Sequence, residues 1–309
     1  VTSAALPVAA PARSGAATGG APAPRRRLSA LFSWLGLAPF AAYILLFLVV
    51  PTVLALVSGL FDADGALTVD NLTALADPVI VQAFASTIGV SALTAVIGAI
   101  VGALVCYALL GLSESSAVRR AVDAASGVLA QFGGVMLAFI FIATIGQQGI
   151  LRVVLQDAFG LDIYAGGMWL YDLPGLVAPY LYFQIPLMVI TFMPALSALR
   201  PQWAEANLTL GGTRASFWAH VGIPVLAPSF LASLLLLFAN AFSSYATAAA
   251  LVSQGAPIVP LQIRAALTSE TVLGRENLAG ALAVGMILVV ALVMWGYSAI
   301  QRRAARWQR

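Results

Sequence analysis

The sequence predicts an all-α polytopic membrane protein with six transmembrane helices, and three observations carry that class. Apolar residues make up 61% of the chain and charged residues 9%. A soluble domain is roughly one-quarter charged, so this chain has too few charges to coat a water-facing surface. Six apolar segments reach the roughly 20 residues that cross about 30 Å of hydrocarbon. The arginines cluster in alternate connections between those segments, which is the pattern that sets orientation in a membrane.

The first residues are dominated by Ala, Pro and Gly and have little to bury, so a disordered tail is expected over 1–30. Arg25, Arg26 and Arg27 then precede an apolar run longer than the core of a cleaved signal, the layout of a retained anchor. The first span is expected over 37–61 with a kink at Pro51, and the second over 83–110, where Gly and Ala suit close helix packing. The others are expected over 124–145, 175–196, 228–251 and 278–300, giving a transmembrane domain over 31–300 and a basic tail over 301–309. An even number of spans places both termini on one side. Twelve of the 15 arginines fall there, leaving Arg152, Arg264 and Arg275 opposite, so the termini are expected to be cytoplasmic. The two longest outer loops cover 146–174 and 252–277. The first contains GILRVVLQDAFGL, whose helical apolar spacing predicts a short helix at the outer membrane surface.

Several chemistries are excluded by composition. Every basic residue other than the lone His220 is arginine, so a phosphate-binding Walker loop with its lysine is absent, as is a lysine Schiff base. Cys106 has no partner for a disulfide or a metal, and His220 alone builds neither a metal cluster nor a triad. No metal site, cofactor or nucleic-acid partner is expected for this chain.

The most polar interruption in the apolar half of the chain is EANLTLGGTRASFWAHVGIP, residues 205–224. Pro201 suits a helix start, and Glu205 lies near the positive end of a short helix of about two turns. Gly211-Gly212 ends that helix, because glycine accepts the left-handed conformation. The following segment can lie along the membrane surface, with Phe217, Trp218 and Val221 dipping inward, and Pro224 sets the entry to the fifth span. An ordinary solvated loop acid is the plain alternative for Glu205.

The spacing Glu205-Ala206-Asn207, three residues, Gly211, nine residues, Val221-Gly222-Ile223-Pro224 resembles the EAA loop of binding-protein-dependent ABC importer permeases. Asn207 replaces the second alanine, and Val221 and Ile223 are conservative departures. The resemblance extends over about 37–300. It implies a five-helix permease core preceded by an added N-terminal helix, with a coupling loop over about 198–224. It further implies ABC ATPase subunits that carry ATP and magnesium, a second permease, an extracytoplasmic solute-binding protein, lipid, and a bacterial inner-membrane location. Glu205, Ala206, Gly211, Gly212, Arg214 and Pro224 become the ATPase-coupling candidates. FANAFSSYATAAAL and APIVPLQIRAAL look like the subgroup importing polyamines, opines, phosphonates and ferric iron.

Polar residues inside spans need partners or a cavity, which makes Gln131, Tyr182, Gln184, Asn240, Ser244 and Thr247 pathway candidates, with helix-to-helix hydrogen bonding as the plain alternative. Asn240, Ser244 and Thr247 fall at i, i+4 and i+7, so one helical face is expected to line the cavity. A stand-alone secondary transporter or channel is the rival class. It would typically need an intramembrane coupling-ion site, and no acid lies deep in any expected span.

Overall fold

The computed structural model describes residues 37–62, 65–113, 115–252, 257–268 and 276–306. The expected tail over 1–30 and residues 307–309 of the basic tail lie outside them. Six helical stretches are long and apolar enough to cross a membrane, and the described residues contain one isolated β-bridge, Phe61 with Leu67, and no sheet.

Residues 37–53 form one compact unit and residues 54–306 the other. The first helix, α1 (Leu37–Ser58), buries none of its residues. It carries a π-turn over Leu45–Val49 just before Pro51. Proline lacks the N–H of a regular turn, and a wider turn absorbs the mismatch.

The second unit is organised around α2 (Pro78–Leu110). Asp77 caps its start by accepting from the Val79 amide at 2.9 Å, and Pro78 occupies the first turn. Its buried face is a ladder of small residues: Ala83, Thr87, Ser91, Ala95, Gly98, Ala99 and Gly102. Close packing depends on them. A Cβ at Gly102 would stand 2.5 Å from Met188 Cβ, on the helix α6 (Val177–Ser197). Leu237, Phe238 and Phe242 close the same core from a third helix.

The third span departs from expectation. It is not one helix over 124–145 but α3 (Ala117–Leu129) and α4 (Gly134–Ile145), separated by four residues. Ser116 caps α3, accepting from the Arg119 amide. Gly134 takes φ +76°, which a side-chain-bearing residue avoids. At 12 residues, α4 is only roughly 18 Å long. By length and composition the crossing stretch is Gly134–Phe159, but a turn at 146–149 divides it. There a Cβ on Gly146 would meet the Ile142 carbonyl oxygen at 2.2 Å. Beyond it, α5 (Ile150–Phe159) is the short helix predicted from GILRVVLQDAFGL, ended by Gly160 at φ +66°.

After α6 come α7 (Pro201–Thr209) and the long α8, helical throughout Arg214–Phe242. The fifth span was expected over 228–251. It stops instead at Phe242, breaks at 243–245 and resumes as α9 (Ala246–Leu251). A short α10 (Val259–Thr268) then packs against the starts of α2 and of α11 (Glu276–Arg306). Residues 301–306 continue α11 as helix.

Candidate functional site

The site begins at the arginine-rich end of the bundle. Residues 201–209 form a nine-residue helix with Pro201 in its first turn, where the missing N–H would have been unpaired anyway. Gly211 ends it at φ +82°. The turn is then held by Asn207: its Nδ2 donates to the Thr213 carbonyl at 3.0 Å, and the Gly212 amide donates to the Asn207 carbonyl at 2.8 Å. A Cβ on Gly212 would lie 2.4 Å from Asn207 Oδ1, so both glycines are used, one for its φ and one for its size. Thr213 then caps α8, accepting from the Ser216 amide at 3.2 Å.

Glu205 lies mid-helix on α7, exposed, with no hydrogen bond or ion pair among the described residues. Ala206 lines a cleft of about 380 Å³ with Trp203, Asn207 and Leu210 on one side and Val221 and Val225 of α8 on the other. Arg214 turns away from this surface. Its Nη2 donates to the Tyr107 hydroxyl of α2 at 3.1 Å, and Tyr107 meets Trp218 edge to face. His220 Nδ1 contacts the Ser216 carbonyl at 3.0 Å, which makes it a local helix contact.

Pro224 is placed differently from the expectation. Residues 214–222 are not a separate surface helix. They are the first turns of α8, with a π-turn over Trp218–Gly222 immediately ahead of Pro224. The wider turn accommodates the proline without ending the helix, as in α1. The Trp218 ring fills the gap this creates, 2.5 Å from where a Gly222 Cβ would be. One short turn therefore joins α7 to the continuous helix of the fifth span.

A second constellation lies inside the bundle, where the breaks in the third and fifth spans meet. The Thr247 hydroxyl accepts from the Gly134 amide at 2.9 Å and donates to the Gly134 carbonyl at 3.2 Å. One side chain thus pairs the Gly134 amide, which the start of α4 leaves without a helical partner, and adds a second bond to its carbonyl. The Tyr180 hydroxyl donates to the Ser244 carbonyl at 3.2 Å, tying the other break to α6. Non-helical backbone at membrane depth is tolerated where it is buried in protein or lines a cavity.

The pathway candidates separate accordingly. Gln131 lies exposed in the first break, and Asn240 is exposed on α8. Tyr182 is half-buried, edge to face with Phe141. Gln184 is fully buried; its Nε2 donates to Thr94 Oγ1 at 3.0 Å, while its Oε1 has no partner. Gln184 and Thr247 therefore join helices. Asn240, Ser244 and Thr247 do not share a face, because the helix ends between the first and the others. Sequence reasoning missed Asn207, read only as a departure, and Gly134, whose position beside Gly133 in an apolar run was the available signal.

No protein-family model matches the chain. It is 24% identical over 206 residues to a probable sulfate transport system permease protein of Helicosporidium sp. subsp. Simulium jonesii, covering 66% of this chain and 71% of that one. It is 23% identical over 223 residues to the trehalose transport system permease protein SugB of Mycobacterium tuberculosis, covering 72% and 73%. Its fold is similar to a chain of a bacterial ABC transporter involved in importing the acidic polysaccharide alginate. That match has TM-score 0.68 and 15% identity, over 90% of this chain and 96% of that one.

Proposed function

We propose that this chain, a permease subunit of a binding-protein-dependent ABC importer, couples to an ATPase subunit through α7. The observation that carries the coupling role is the exposed, unpaired Glu205 on a glycine-ended helix joined directly to the fifth span. The arginine-rich end is the cytoplasmic one, with both termini there, in a bacterial inner membrane. An ATPase subunit holding ATP and magnesium docks on α7, with Glu205 meeting a basic group. Its closure moves α7, and the turn at 210–213 passes that motion to α8. This chain itself carries no ATPase site.

The breaks at 130–133 and 243–245 lie near the level of Phe183, roughly 15 Å from the start of the fourth span at Leu173. They form the movable part of half a translocation path, which a second permease completes. An extracytoplasmic binding protein delivers solute to the far end; a second structure of the alginate transporter has its periplasmic protein bound to an alginate pentasaccharide. Broken helices also suit a stand-alone secondary transporter, and the docking helix is what favours the importer. The solute is better sought among sulfate, sugars and acidic saccharides than among polyamines, phosphonates or ferric iron, since the relatives and neighbour named above carry the former.

The test is Glu205→Ala in the assembled importer. The chain should stay in the membrane, ATPase co-purification should weaken, and uptake should fall to background. Full uptake with normal ATPase retention would sink the coupling role.

A further inference from the structure

We propose that the cavity beside the break in the fifth span is an anion-binding station on the translocation path, with Arg264 as its charged group. This rests on the importer reading and adds the class of solute. The cavity, of about 390 Å³, is lined by Ser243 and Tyr245 from the break, Arg264, Leu267 and Thr268 from α10, and Met286 from α11.

Its depth follows from the packing. Met286 is two and a half turns into the sixth span from Asn277, roughly 14 Å along the axis. The Val259 amide at the head of α10 donates to Thr87 Oγ1, similarly far into α2. Arg264 thus sits on a helix packed among the outer halves of the spans, where a charged group is costly and marks a path or a ligand.

The free donors converge on the cavity. Ser243 Oγ donates to the Ala239 carbonyl and Thr268 Oγ1 to the Arg264 carbonyl, each at 2.9 Å, so those two hydroxyl protons are engaged. The Arg264 guanidinium and the Tyr245 hydroxyl make no hydrogen bond or ion pair among the described residues. A planar guanidinium matches the paired oxygens of a sulfate, phosphate or carboxylate. Leu267 and Met286 supply apolar wall to the same cavity. Among the described residues no acid lines the cavity, so there a polycation would meet only like charge. A neutral sugar would leave the guanidinium unused. One cation in an open cavity attracts an anion without trapping it, as a station on a path requires.

The experiment uses the full chain with its associated subunits in lipid nanodiscs. Cys106, the only cysteine in the sequence, is fully buried and contributes little background. Leu267→Cys puts a thiol on the cavity wall, and Thr268→Cys serves if the first variant does not insert. After normalising to a neutral free thiol, an anionic sulfonatoethyl methanethiosulfonate should react roughly fivefold faster than its cationic trimethylammonium analogue. Adding Arg264→Gln should abolish that preference. Inorganic sulfate or an alginate oligosaccharide should slow labelling only while Arg264 is present. Equal rates for the two reagents would overturn the proposal, as would protection by spermidine, protection that survives Arg264→Gln, or no protection by either anion. Labelling does not depend on ATPase retention, so failure of the coupling reading would be seen separately.

Discussion

Two kinds of helix interruption stand in one chain, and they are held in opposite ways. The turn at 210–213 is exposed and closes through local groups, Gly211, Gly212 and Asn207. The breaks at 130–133 and 243–245 lie inside the bundle, and one of them is closed by a residue 113 positions away, Thr247 on Gly134. Water could satisfy loose backbone groups at the first site. In the second a missing partner stays missing. An interruption at an exposed turn can therefore be built from neighbours in sequence, whereas one inside the bundle needs the rest of the fold.

The comparison breaks most visibly at Thr247. Thr247→Val keeps the shape and removes the hydroxyl, leaving the Gly134 amide unpaired, and should cost about 1–2 kcal/mol. A thiol-reactive dye on Cys106, which becomes accessible only on unfolding, would report the lowered melting temperature. An unchanged melting temperature would show that the two breaks are not joined through this clamp.

At the exposed turn the effect should be smaller. Asn207→Ala restores the E-A-A spelling of the loop but removes the bond to the Thr213 carbonyl. Hydrogen exchange at the Gly212 and Thr213 amides should speed up by about fivefold, equivalent to about 1 kcal/mol, with the melting temperature nearly unchanged. A global loss of stability would contradict the local character of this turn.

The smallest effect is expected at a third turn, whose ion pair is only partly exposed. Arg152 Nε donates to Asp162 Oδ1 at 3.0 Å, which holds the Asp162 carboxyl below its ordinary value of 3.8. A depressed carboxyl stabilises above the unfolded value and loses that contribution as pH falls through the folded one. The α5–Trp169 segment should thus be unchanged from pH 7 to pH 5 and loosen only below about pH 4. Trp169, whose Nε1 donates to the Ile163 carbonyl, would report this by fluorescence in a chain with its other tryptophans replaced. Arg152→Gln should remove the acid transition, and a transition that survives it would assign the change to another group.

Composition and periodicity by themselves determined the all-α class, the six apolar segments and the helix α5, because burial in lipid demands long apolar runs whatever the neighbours are. The helix α7 was legible for a related reason: proline, the glycine pair and the spacing to Pro224 act within about 20 residues of each other. Only the tertiary structure decided where spans three and five break and that α8 runs unbroken through Pro224. It alone showed that Gln184 and Thr247 are spent joining helices and that Arg264 opens into a cavity. Each of these depends on a partner far along the chain, such as Thr94 for Gln184 or Gly134 for Thr247. A polar residue in an apolar run looks the same in sequence whether it lines a path or ties two helices together.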